Sequence, residues 1–135
     1  MPKILIVDDS EINRELMARI LKRVGYSICC AADGAGGIAA AEQERPDLIL
    51  MDIAMGKMDG WEATQQIKAN PTTANIPIIA LSAHFLDSDR KRSLEVGCAA
   101  FETKPVNIRR LLDRIEADLD PEARLNPCDA VALAD

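Results

Sequence analysis

No apolar run in the 135-residue chain reaches the roughly 20 residues needed to cross a bilayer, so a membrane-spanning protein is excluded by length alone. Met1-Pro2-Lys3 leads straight into a strand-like segment without a secretory pattern, and a cytoplasmic protein is expected. Aromatic residues are scarce, with one Trp, one Tyr and two Phe, so the core must be built from aliphatic side chains. The four cysteines, Cys29, Cys30, Cys98 and Cys128, form no CxxC pair of the kind that holds zinc. Adjacent residues of a strand point to opposite faces, so Cys29 and Cys30 cannot both face one partner, and reduced thiols are expected. Basic excess is missing too. Lys plus Arg total 16 against 22 Asp plus Glu, a net charge of −6, which argues against a nucleic-acid surface and leaves protein partners open.

What is present is an alternation. Short β-type runs are each followed by a longer helical stretch. Strands are expected near Lys3–Val7, Ser27–Ala31, Asp47–Met51, Pro77–Leu81 and Ala99–Glu102. Helices are expected near Glu11–Val24, Ala35–Glu44, Trp61–Ala69, Ser88–Val96 and Ile108–Leu119. Ser10 is a plausible N-cap, Gly25 and Gly97 are helix stops, and Pro46 ends the second helix. In the first helix Ile12, Leu16, Met17, Ile20, Leu21 and Val24 recur at helical period as one apolar face. The fourth helix is strongly polar, with Arg90-Lys91-Arg92 at its middle, which reads first as a solvated face. Repeated βα units imply a parallel α/β sheet covered on both faces. Right-handed crossovers then give a doubly wound, flavodoxin-like (βα)5 sheet of strand order 2-1-3-4-5. The domain spans residues 1–120, and residues 121–135 read as a short flexible tail.

In that order Asp8, Asp9, Asp52 and Ser82 gather at one carboxyl edge of the sheet, where open α/β sheets bind ligands, and Lys104 follows the fifth strand. Three carboxylates are hard oxygen ligands suited to Mg²⁺, with Mn²⁺ as the alternative ion. Without a cation their mutual repulsion raises at least one pKa. A carboxylate also attacks phosphorus to give an aspartyl phosphate, and a metal, a lysine and a hydroxyl are the groups that stabilise a transferring phosphoryl.

The segments Ile4-Leu-Ile-Val-Asp-Asp9, Leu50-Met-Asp-Ile53, Met58-Asp-Gly60, Ile79-Ala-Leu-Ser-Ala83 and Phe101-Glu-Thr-Lys-Pro105 carry a family resemblance. Over about residues 2–119 the chain resembles the CheY-like receiver domain of two-component response regulators. The resemblance implies that Asp52 is the phosphoacceptor. It implies that Asp9 and Asp52 bind Mg²⁺ directly, that Asp8 acts largely through water, and that the Ala54 carbonyl is a further ligand. Ser82 and Lys104 would hold phosphoryl oxygens. Phe101 occupies the aromatic switch position, and Lys104-Pro105 is expected to be cis. Ala54 and His84 fall where the family tunes phosphate lifetime. Phosphorylation would pull Ser82 inward, turn Phe101 in, and change partner preference on the face of the fourth helix, fifth strand and fifth helix.

The resemblance implies a histidine kinase or histidine phosphotransfer domain as phosphodonor and a downstream protein target, in a bacterial-type signalling pathway or phosphorelay. It implies a phosphoacceptor with slow self-dephosphorylation rather than a turnover enzyme, here expected to stand alone. Gly56-Lys57 departs from the usual proline after the phosphoacceptor and should loosen that loop. Met51, Met55 and Met58 read as packing, and Trp61 as a side chain near the site able to report metal binding by fluorescence. A Mg²⁺-dependent phosphatase would want a second Asp where Ala54 stands. A flavin module would want a Gly/Ser/Thr-rich loop where Asp8-Asp9-Ser10 stands. A receiver-like interaction domain that does not switch is the remaining alternative.

Overall fold

A computed structural model describes residues 2–55, 58–83 and 87–119. Its elements are β1 (Lys3–Val7), α1 (Glu11–Val24), β2 (Ser27–Ala31), α2 (Gly34–Glu44), β3 (Leu48–Asp52), α3 (Gly60–Ala69), β4 (Ile78–Ser82), α4 (Asp87–Glu95), β5 (Ala100–Thr103) and α5 (Ile108–Leu119). The strands form one parallel sheet of order β2-β1-β3-β4-β5, as the alternation predicts. The Gly56-Lys57 pair, His84, Cys128 and the segment 121–135 lie outside the described residues.

The strand period of 2 explains the two-layer core. Leu5, Val7, Ile49, Met51, Ile78 and Ala80 point to one face and pack with Ala41 of α2 and Ala63 and Ile67 of α3. The alternate residues Ile4, Ile6, Leu48, Leu50, Ile79 and Leu81 point to the other, against Leu21 of α1 and Leu111 and Ile115 of α5. β3 and β4 are buried throughout, as central strands covered on both faces must be. Cys29 packs at the margin of the first layer while Cys30 is exposed, and both are free thiols.

Helix starts are set by short polar side chains. The Ser10 hydroxyl accepts from the Asn13 amide at 3.3 Å, Asp33 from Gly36 at 2.6 Å and Asp59 from Glu62 at 2.8 Å. The Asp33 cap starts α2 at Gly34, one residue before the sequence places it. β3 and β4 each begin and end one residue later than expected, and their last residues are set by pairing, Asp52 with Leu81 and Ser82 with Thr103.

The apolar stripe of α1 is only partly a core face. Leu21 is fully buried, but Ile12, Leu16 and Val24 are 76%, 56% and 52% exposed. The stripe is wider than the area the sheet and α5 cover. Residues at its centre (Met17, Ala18, Leu21) seat on the sheet, and those at its edge face outward.

Where α3 begins, the chain passes hard against the backbone of β3. A Cβ on Gly60 would lie 2.5 Å from the Asp52 carbonyl oxygen and 2.6 Å from the Ile53 Cα. The Gly60 amide donates to the Ile53 carbonyl at 3.2 Å. Gly60→Ala should therefore cost about 1–3 kcal/mol in urea unfolding, well above the usual gain from replacing a helical glycine by alanine.

Candidate functional site

The carboxyl edge of the sheet brings together the residues that the sequence singles out. Asp8 follows β1, Asp52 and Ser82 end β3 and β4, and Lys104 follows β5. Asp8 and Asp52 are each 4% exposed and Ser82 is 2% exposed, whereas Asp9 is open to solvent. One carboxylate oxygen each from Asp8, Asp9 and Asp52 lies within 4.8 Å of the other two.

Local backbone geometry fixes the two buried carboxylates. Asp8 Oδ1 accepts from the Ser10 amide at 2.9 Å, and Asp52 Oδ1 accepts from the Ala54 amide at 3.0 Å, both turns of the aspartate type. The second oxygens turn toward Lys104. Its Nζ lies 3.2 Å from Asp8 Oδ2 and 3.4 Å from Asp52 Oδ2, so one ammonium bridges two buried anions. Lys104 is held in turn by its own amide, which donates to the Ser82 carbonyl at 2.6 Å. The Lys104-Pro105 peptide is cis. Phe101 is half-buried against the first core layer and pairs in register with Ala80, two residues before Ser82.

The electrostatics follow from burial. Desolvation pushes the Asp52 carboxyl above its usual range. The Ala54 amide and Lys104 pull it down and Asp8 pushes it up, with desolvation the largest influence. Three carboxylates against the Lys104 ammonium leave an excess of negative charge on hard oxygen donors. That set of donors fits a divalent cation such as Mg²⁺.

Some of this arrangement has no signature in the sequence. Arg14 Nη1 donates to the Asp8 carbonyl at 2.7 Å, tying α1 to the site, yet nothing marks it among the charges of that helix. Trp61 packs against the core layer that includes Met51 and Ile53, and its Nε1 donates to Ser93 Oγ of α4 at 2.8 Å, a partner that no local spacing predicts. Beside the site, α1 and the segment after β5 enclose a cleft of about 320 Å³. Leu16, Met17, Ile20, Val106 and Ile108 line it, together with Lys104.

A buried acid with a raised pKa binds more protons folded than unfolded. Stability therefore falls as pH rises from the unfolded carboxylate range through the raised value, and ionised Asp52 is a cost at neutral pH. Asp52→Asn should raise the Tm by a few degrees at pH 7 in metal-free buffer. Thermal scans at falling pH should show the gain shrinking as the wild-type carboxyl protonates.

The response regulator receiver domain profile matches residues 4–116. The chain is 34% identical over 120 residues to the polar-differentiation response regulator DivK of Brucella anthropi, covering 88% of this chain and 98% of that protein. It is 36% identical over 119 residues to protein PilH of Pseudomonas aeruginosa, with the same coverage of 88% and 98%. Among solved structures, chemotaxis protein CheY4 of Vibrio cholerae superposes with a TM-score of 0.81 at 30% identity, covering 86% of this chain and 97% of that one. The receiver domain of a sensor histidine kinase from Pseudomonas aeruginosa, solved with magnesium coordinated in its active-site cleft, gives 0.81 at 33% identity, covering 87% and 97%. With its strand order, its acidic edge and these relatives in agreement, the chain belongs to the response regulator receiver domain family, the phosphorylation-dependent switches of two-component signalling.

Proposed function

We propose that Asp52 is the phosphoacceptor and that this chain switches partner binding when Asp52 carries a phosphoryl group. The observation that carries the reading is the Lys104 bridge. A single ammonium contacts the buried Asp52 and the neighbouring Asp8, with Ser82 buried at the end of the next strand. In the transfer, a carboxylate oxygen of Asp52 bonds to phosphorus as the phosphorus–nitrogen bond to the donor histidine breaks. Lys104 is placed to exchange a carboxylate for a phosphoryl oxygen, and Ser82 supplies a hydroxyl on the adjacent strand.

Asp8, Asp9 and Asp52, with the Ala54 carbonyl, are the groups that would hold Mg²⁺. When bound, the ion supplies positive charge to the phosphoryl oxygens. Phe101, packed two residues along the ladder from Ser82, would relay the change to the face of α4, β5 and α5. Residues 1–120 would form the switching domain. Ala54 offers no side-chain group to orient a hydrolytic water. Nothing in the geometry favours a non-switching domain.

The phosphodonor, a histidine kinase or a histidine phosphotransfer domain, must lie across the edge where Asp52 opens. Leu16 of α1, exposed and lining the cleft beside Asp8 and Lys104, supplies an apolar landing point there.

Intact mass after incubation with a small-molecule phosphodonor and Mg²⁺ tests the phosphoacceptor. One phosphoryl adduct is expected, absent without Mg²⁺ and absent in Asp52→Asn. An adduct that persists in Asp52→Asn would place the chemistry elsewhere. Leu16→Asp should slow transfer from a histidine-phosphorylated protein donor by roughly tenfold, the loss of one apolar anchor. The same variant should leave the adduct from the small phosphodonor unchanged.

A further inference from the structure

α4 is the least anchored helix of the domain by apolar burial. Its one buried residue is Ser93, a polar side chain, and its Leu94 is 46% exposed. In the proposed function this helix forms part of the face that changes its partner. It packs on β5, and its side-chain hydrogen bond to another element comes from α3. Trp61 Nε1 donates to Ser93 Oγ at 2.8 Å, and Ser93 Oγ donates onward to the Asp89 carbonyl at 2.8 Å, one turn back in the same helix. The Arg92 guanidinium carbon stands 4.5 Å from the centroid of the Trp61 ring. Two successive residues of α4 thus grip the two chemical features of one indole, its N–H and its π face.

The other end of this connection is fixed. Trp61 is the second residue of α3 and packs against the first core layer. The residue before it, Gly60, is pressed onto the Asp52 and Ile53 backbone so closely that no Cβ fits. Trp61 cannot follow α4 outward without lifting the start of α3 off the phosphoacceptor strand. α4 can shift relative to the site only by giving up the Nε1–H···Oγ bond and the Arg92 contact. Ser93 is fully buried, so water does not replace the lost bond where it stands.

We infer that Trp61 is a positioning residue, a latch that holds α4 in its resting place through Ser93 and Arg92 and so sets how readily the α4–β5–α5 face is released. Its link to signalling rests on the phosphoacceptor reading; the latch itself is a property of the unphosphorylated chain and is measured there.

The test is hydrogen–deuterium exchange of residues 87–95 in the full chain without phosphodonor, in wild type, Trp61→Phe, Ser93→Ala and the double variant. Each single variant should exchange about three- to tenfold faster in α4, the range for one lost neutral hydrogen bond. α1 and α5 should stay at wild-type rates. The double variant should be close to the faster single, because both remove the same bond. Alanine is the better helix former, so helix propensity alone predicts slower exchange in Ser93→Ala, and the opposite sign identifies the latch. Should Trp61→Phe fold poorly, Ser93→Ala carries the test, since it removes the indole's acceptor, together with the hydroxyl's own bond to the Asp89 carbonyl, without touching the core. Unchanged or slower α4 exchange in Ser93→Ala would overturn the latch, as would an acceleration shared equally by α1 and α5 or effects that multiply in the double variant. Failure of wild type to form an aspartyl adduct would instead count against the phosphoacceptor reading.

Discussion

Lys104 stands between two carboxylates that burial has brought together against their own repulsion. Asp8 and Asp52 are both nearly inaccessible to water, both anchored through one oxygen to a backbone amide, and both turned through the other toward the same ammonium. Like charges in such surroundings raise each other's proton affinity unless a cation intervenes. Lys104 offsets part of that cost. The remainder, with Asp9 alongside, is the excess charge that suits a divalent ion. The parallel topology exists in service of this meeting. Only adjacency of β1, β3, β4 and β5 sets residues separated by almost the whole domain around one ammonium.

Around that centre the strands that carry Asp52 and Ser82 are deeply buried, whereas α4 buries little apolar surface. β3 and β4 are buried throughout, and Gly60 closes the return of α3 onto β3. α4 has no comparable apolar footing. Among the described residues its side-chain attachment to α3 is one hydrogen bond and one stacked guanidinium, each a small interaction. A helix sealed by a large apolar face would be costly to shift; a helix held by an indole and a serine is not.

Much of this was legible in the residues. The apolar runs Ile4-Leu5-Ile6-Val7 and Leu48–Met51, the capping residue Ser10, and the stops at Gly25 and Gly97 act over a few residues, and each survives in the structure. The five polar residues were found because four of them terminate apolar runs. What could not be read depends on contacts between distant elements. The exposure of Ile12 and Leu16 reflects how narrow the covered strip of α1 is, which no helical period reveals. Arg14 reaching the Asp8 carbonyl, and Trp61 reaching Ser93, depend on where neighbouring elements lie, not on local spacing. The one-residue shifts of β3 and β4 arise from cross-strand pairing for the same reason.

The central claim, that the cluster at the sheet edge is a cation site whose charge excess Asp9 completes, is tested most directly by calorimetric titration of Mg²⁺ into wild type and Asp9→Asn. The account predicts saturable binding of one ion per chain in wild type and a binding isotherm lost or greatly weakened in Asp9→Asn, since the exposed carboxylate is one of the three that meet there among the described residues. No saturable binding in wild type, or equal affinity in the two proteins, would contradict it.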